Sequence, residues 1–257
     1  MQDQIHYAEP MVIDQIKECT FYHCMDLPDV GTVGTGWDLR ATVDAYLGEY
    51  DFRGKRVLDV GAASGYLSFE LEKRGAEVVS FDMDSGAQWD IVPYFTDDAR
   101  FKKERHNREQ AHIRLKKGYW FAHRALQSNA RVYYGDIYHL PEALGPFDVV
   151  FLGMILSHLR DPFQALYSAS RLSTDTVIIT NQTMQRSESM ALFLPDPIRQ
   201  LPAAWWSFSD GCLQRMLEVL GFQVIRTLRH LHRCIAKGRE GLEHCTAFVA
   251  QRQSVNV

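Results

Sequence analysis

Leu58-Asp59-Val60-Gly61-Ala62-Ala63-Ser64-Gly65 is the stretch that decides the fold. The run that leads into it, Arg56-Val57-Leu58-Asp59-Val60, has the length and apolar character of a buried strand and stops at glycine. Beyond Gly65, Leu67 and Leu71 share one helical face of the segment Tyr66 to Arg74, charges occupy the other, and Gly75 ends it. The unit reads as strand, glycine turn, helix, glycine stop. Such a turn lets a ligand approach the backbone closely and aims helix N-terminal N–H groups into the crevice.

Outward from this unit the rhythm repeats. Glu77–Phe81 is a second strand ending in Asp82, Arg131–Tyr134 a third followed by Gly135-Asp136, Phe147–Leu152 a fourth, and Asp175–Thr180 a fifth. Asp161-Pro162 has the order of a helix start, the capping carboxylate first and proline at the first helical position. Leu213, Met216, Leu217 and Leu220 mark a last helix that stops at Gly221. Two further strands, about Phe222–Leu231 and Cys245–Arg252, have too short and polar a connection for a crossover helix, so they form an antiparallel pair. The expected class is α/β: a Rossmann-like, seven-stranded, mostly parallel sheet with helices on both faces and an antiparallel C-terminal strand pair. Residues 1–52 precede it as a lid or cap segment. The domain runs from 53 to 257, with an inserted helical segment at about 85–130 whose helix spans about Phe101 to Gln127. So long a connection beside the crevice more often covers a site than sits idle.

Composition narrows the function. The chain has 257 residues, 46% hydrophobic and 12% aromatic, enough for one sizeable core. Its net charge of -4 does not favour a polyanion, so nucleic-acid contact requires a local basic patch. One such run exists: Arg100 to Lys117 holds eight Lys or Arg and two Glu, a local charge of +6. It reads either as a solvated helix face or as a contact to an anionic acceptor. Five cysteines without C-x-x-C spacing, no signal-peptide pattern and no run near the roughly 18 apolar residues of a membrane span point to a cytoplasmic protein. His230, His232 and Cys234 alternate on one face of the sixth strand, but no spacing here matches a zinc site, and no metal is expected.

Asp82 ends the second strand about twenty residues after the turn, where a carboxylate accepts ribose hydroxyls. Asp136 follows the third strand, placed to take an adenine amino group while Ile137 packs near the ring. With these in order, the chain resembles the class I S-adenosylmethionine (SAM)-dependent methyltransferases over about residues 54–252. Asp59-x-Gly61-x-x-x-Gly65 looks like their first motif, Asp82 their ribose carboxylate and Gly135-Asp136-Ile137 their adenine motif. Phe147 to Pro162 looks like their fourth motif. The resemblance implies SAM as cofactor, held by Asp59, Gly61, Ala62, Ala63, Gly65, Asp82, Met83, Asp136, Ile137 and Gly153, with Trp37 either closing over the methionine end or lying in the core. Where such families carry a middle glycine this chain has Ala63, whose methyl costs little if its φ is negative. A dehydrogenase reading lacks the third glycine of G-x-G-x-x-G and leaves Gly135-Asp136 unexplained. Within the superfamily the chain is most similar to the branch of the tRNA wobble-uridine carboxymethyl-transferring enzymes and related uncharacterised small-molecule enzymes. The fourth-motif histidine, Gly36-Trp37-Asp38-Leu39-Arg40 and Trp205-Trp206-Ser207-Phe208-Ser209 carry that likeness. That family has Tyr-His where this chain has Ser157-His158, which favours ordinary SAM over a carboxylated cofactor.

Methyl transfer is a displacement at a sulfonium, so the protein aligns the nucleophile and excludes water, and a base is needed only for a protonated acceptor. His158, after the fourth strand, is either that base or a histidine that bonds a backbone carbonyl and orients a loop. Tyr22 and His23 contact acceptor or cofactor if the N-terminal segment folds over the crevice; Phe21 and Leu27 pack the lid. Asn181, Gln182 and Thr183 stand on the same edge, and Trp89, Trp205 and Trp206 are candidate acceptor walls. The expected function is methylation of a small molecule at O, N or C. The alternatives are a tRNA-modifying methyltransferase and a SAM-binding protein without transfer activity.

Overall fold

A computed structural model describes residues 5–84, 90–94, 98–201, 203–236 and 239–253. Its main sheet is built on β1 (Arg56–Val60), β2 (Glu77–Met83), β3 (Arg131–Gly135), β4 (Phe147–Gly153), β5 (Ser173–Asn181), β6 (Phe222–Ala236) and β7 (Arg239–Arg252). They lie in the order β3-β2-β1-β4-β5-β7-β6, and Trp37–Asp38 adds a short eighth strand beyond β6. β1 through β5 are parallel; β7 runs antiparallel to both β5 and β6. The chain steps outward from β1 to β2 and β3 on one side and to β4 and β5 on the other. The carboxyl end of β1 and β4 is therefore the switch point where a crevice opens.

The helices are α1 (Val43–Tyr46), α2 (Tyr66–Lys73), α3 (Asp98–Ala125), α4 (Pro162–Ser170) and α5 (Asp210–Val219). Tyr46, Leu67, Leu71, Tyr119 and Trp120 pack one face of the sheet. Leu166, Leu213 and Leu217 pack the other. Strands covered on both sides must be apolar throughout, and Val57, Leu58 and Val60 are at most 1% exposed. Asp161 caps α4 through Gln164 N–H (3.0 Å), with Pro162 at its start.

Two boundaries differ from the sequence reading. α3 ends at Ala125 because Gln127 adopts φ +52, which stops the helical ladder. β6 and β7 run past Leu231 and Cys245 because their outer arms pair with each other, and β6 also pairs with Trp37–Asp38. Small sheets outside the rhythm, Met25–Leu27 with Gly31–Val33 and a three-stranded group of Thr183–Met184, Ala191–Phe193 and Trp206–Ser209, flank the carboxyl edge. No helix among the described residues is long and apolar enough to cross a membrane.

Candidate functional site

The glycine turn is built from left-handed residues. Gly61 has φ +85 and Gly65 +88. Gly61 N–H and Ala62 N–H both donate to Phe81 O, at 2.9 and 3.0 Å. A Cβ on Gly65 would stand 2.5 Å from the Phe69 ring and 2.8 Å from Tyr119, so that position admits only glycine. Ala63 departs from the condition set by the sequence reading, because its φ is +49 rather than negative. The methyl group therefore costs about 1–2 kcal/mol there. What holds it is its N–H, which donates to Asp82 Oδ2 at 2.7 Å and ties the turn to the end of β2.

Asp59 is 1% exposed. It accepts a hydrogen bond from Ser68 Oγ (2.5 Å), and Ser80 links Ser68 to Tyr119. Burial pushes its carboxyl up to about 7; the Ser68 bond opposes this and Asp82 adds to it. Asp82 also accepts from Met83 N–H (2.7 Å), and Met83 O lies 3.1 Å from His112 Nε2. Asp136 stands at the end of β3 as cap of the turn Ile137–His139, bonding Tyr138 N–H (3.0 Å) and His139 Nδ1 (2.7 Å). Ile137 packs on the core beneath. At the end of β4 a Cβ on Gly153 would crowd Phe151, Tyr46 and Leu67 at 3.0–3.3 Å.

His158 is exposed, and its Nδ1 lies 2.7 Å from Ala203 O. A carbonyl only accepts, so Nδ1 carries a proton, and in the neutral ring Nε2 keeps its lone pair. Beside it Asn181, fully buried, donates to Ser157 Oγ (3.0 Å), and its Oδ1 has no partner. Gln182 and Thr183 are engaged elsewhere, with Glu243 (2.8 Å) and Asp210 (2.6 Å). Trp206 donates to Arg160 O (3.2 Å), bracing the loop after β4, and Trp205 donates to Asp90 O (2.6 Å); Trp89 lies outside the described residues.

The N-terminal segment reaches the turn directly. Tyr22 N–H donates to Ser64 Oγ at 2.9 Å. Trp37, half-buried, donates through Nε1 to Tyr22 Oη (3.2 Å). His23, 7% exposed, rests on Tyr66 with ring centres 5.6 Å apart. Phe21 and Leu27 pack as expected, Phe21 against Phe121 and Leu27 in the core.

Part of the basic run serves this segment. Arg114 donates to Lys17 O, Cys19 O and Thr20 Oγ1. Lys117 pairs with Glu18 (2.6 Å), while Arg105 and Arg108 pair with Glu109 and Glu104 on the helix itself. Lys116 is buried with Nζ 3.8 Å from the centre of the Tyr134 ring, and Asp82 and Asp84 offset the cost of its burial. In the sequence Lys116 is one charge of the basic run, and nothing there marks it as buried. Arg100, Lys102 and Lys103 remain exposed. Among the described residues, no three His, Cys, Asp or Glu converge as a metal ion requires.

A family model described as a methyltransferase domain matches residues 38–227. The chain is 28% identical over 182 residues to a tRNA U34 carboxymethyltransferase of Idiomarina loihiensis, covering 70% of this chain and 49% of that one. It is 26% identical over 184 residues to its counterpart in Ectopseudomonas mendocina, covering 68% and 47%. The chain thus spans about half the length of the curated relatives it matches. Among solved structures, the magnesium protoporphyrin IX methyltransferase of Synechocystis PCC 6803 with bound SAH superposes with TM-score 0.52 at 16% identity, over 84% of this chain and 82% of that one. The N-terminal domain of EvdMO1 with SAH and D-fucose gives TM-score 0.54 at 18% identity, over 93% of each. The fold is that of the SAM-dependent methyltransferases. The chain belongs to the methyltransferase-domain family, and solved structures that share its fold hold SAM or SAH.

Proposed function

We propose that this chain methylates a small-molecule acceptor in a crevice at the carboxyl edge of β1, β4 and β5, with the segment up to residue 52 as its lid and 53–257 as the cofactor-binding domain. The observation that carries this reading is the bond from Tyr22 N–H to Ser64 Oγ, which lays the chain's own N-terminal segment over the glycine turn. A site roofed in this way suits a compact acceptor better than a folded nucleic acid. SAM supplies an electrophilic methyl group on a sulfonium. Asp82 presents negative charge to it, Asp59 braces the turn from below through Ser68, Gly61, Ala62, Ala63 and Gly65 give it room, and Asp82 and Asp136 are suited to its ribose and adenine. Met83, Ile137 and Gly153 line the same edge, and Trp37, Tyr22 and His23 face it from the lid. His158, with Nδ1–H fixed on Ala203 O, holds Nε2 ready to take a proton from an acceptor hydroxyl or ammonium.

Calorimetry with SAH and transfer of labelled methyl from SAM test the reading together. His158→Gln is expected to lower turnover by about 10²-fold or more while SAH affinity stays within a few-fold. Equal turnover refutes the base role.

A tRNA acceptor is the second reading, favoured by the two curated relatives and by the exposed Arg100, Lys102 and Lys103. It requires tRNA retention that weakens steeply with salt. A protein that fails to retain tRNA even at about 50 mM salt overturns it.

A further inference from the structure

Among the described residues, five buried side-chain nitrogen or oxygen atoms lack a hydrogen-bond partner, and they belong to four residues: His23, Asn181, His230 and His232. Buried polar atoms are nearly always paired, since desolvation without a partner is costly. Orphans gathered in one place therefore point to something that pairs them.

Three of the four come from adjoining stretches of chain: His23 bridges to Trp37, and Trp37 pairs with Cys234, two residues past His232. His230 and His232 follow each other on one face of β6 with ring centres 4.3 Å apart, and Tyr46 of α1 flanks both, at 6.3 and 5.0 Å. His23 comes from the N-terminal segment and rests on Tyr66, the first residue of α2. The pairing register sets their height. β7 pairs with β5 only as far as Thr246 opposite Asn181, whereas His230 and His232 stand opposite Cys245 and Glu243. They therefore stand beyond the carboxyl end of β5, on the edge that holds the cofactor residues. Asn181, the fourth, closes the end of that strand beside Ser157 and His158.

We infer that His23, His230 and His232 form the recognition subsite for an uncharged, hydroxyl-bearing acceptor. This rests on the methyl-transfer reading above and specifies its substrate class. The three imidazoles stay neutral at physiological pH: burial lowers His23 to about 3 and His232 to about 4, and lowers His230 as well. A carboxylate or phosphate would meet no compensating cation on these rings. Each neutral imidazole offers one donor and one acceptor, and Thr42 Oγ1, 2.7 Å from His232 Nδ1, engages only one ring nitrogen. A hydroxyl both donates and accepts, so it satisfies either tautomer. Tyr46 and Tyr66, both buried, hold these imidazoles in place through ring contacts. His230 is half-buried, the most open of the three, and marks the approach.

The test combines an acceptor survey with variants of the full chain. Labelled SAM is supplied with a metabolite extract split by ion exchange into uncharged, anionic and cationic fractions. Labelled product is expected in the uncharged fraction. His230→Phe removes both unpaired nitrogens yet keeps a ring, and is expected to melt no lower than the parent and to bind SAH within about twofold. It should lower labelling of the uncharged acceptor about tenfold or more, with the loss recovered at high acceptor concentration. His230→Asn, which keeps a donor and an acceptor, should restore part of it and serves if the phenylalanine variant folds poorly. Label confined to a charged fraction overturns the inference. So does unimpaired labelling by His230→Phe, or stoichiometric zinc in the purified protein. No label in any fraction, with SAH still bound, overturns the small-molecule reading itself.

Discussion

Replacing Ala63 with glycine should make this protein more stable, against the usual direction of an alanine-to-glycine change. Ala63 has φ +49, in the left-handed region where a Cβ crowds the backbone. That conformation costs about 1–2 kcal/mol for a residue with a side chain. Glycine removes the cost but widens the unfolded ensemble, returning about 0.4–1 kcal/mol. The net gain is about 0.8 kcal/mol at the midpoints of those two ranges, since the N–H of residue 63 still donates to Asp82 Oδ2. For a chain of this size each kcal/mol moves Tm by about 2–4 °C, so the shift is about +2 to +3 °C. Ala62 is the control. It is 5% exposed and lies outside the left-handed region, so Ala62→Gly loses both a buried methyl group and chain stiffness. That variant should fall by about 1 kcal/mol or more. Thermal melts of both, with SAH titrations to verify that the crevice is intact, decide the matter. If Ala63→Gly melts as low as Ala62→Gly, residue 63 is not left-handed in the native protein and the strain argument fails.

Three further outcomes follow from the same geometry. Gly65→Ala places a methyl group 2.5 Å from Phe69 in a left-handed residue and should lose about 2–5 kcal/mol in urea melts, together with SAH binding; wild-type stability would refute the packing of that turn. The Asp59 carboxyl is raised from 3.8 to about 7 in the folded chain, so the folded state holds the extra proton between those values and loses stability as pH rises through them. Asp59→Asn should therefore flatten the stability profile between pH 5 and 8 and exceed the parent at pH 8, and an unchanged slope would refute this. Gly118 sits inside α3, where alanine would ordinarily gain about 1 kcal/mol. A Cβ there meets the backbone carbonyl of Thr20, so Gly118→Ala should lower Tm and speed proteolysis of the N-terminal segment; a higher Tm would show that the segment does not dock there.

The parts of the fold that were legible in the sequence owe this to short-range causes. Val57, Leu58 and Val60 read as a doubly covered strand, Gly61 and Gly65 as its turn, and Asp161-Pro162 as a helix start, because each pattern is local. The C-terminal hairpin was legible because its connection is too short for a crossover. The strand Ala191–Phe193 was not legible: all three residues are exposed, so no alternation announces it. The hairpin Met25–Leu27 with Gly31–Val33 was missed because its strands have three residues each. At the site, Asp59, Asp82 and Asp136 could be placed from strand ends alone. The sign of φ at Ala63 could not, because it depends on Asp82 meeting the N–H across the crevice. Sequence alternation put His230 and His232 on one face. Their depth depends on α1, a four-residue helix with no periodicity to read.

Lys17 to Thr20 are fastened to Arg114 and Lys117 of the insertion, and two residues further on the same strand of chain grips Ser64. The outer wall of the crevice is thus a composite of two pieces of polypeptide nearly a hundred residues apart in sequence, riveted by charge and backbone contact. Neither piece can shift without loading the other. If the strap roofs the proposed crevice, passage beneath Tyr22 requires this joint of helix and strap to open, while the sheet itself takes no part in the opening.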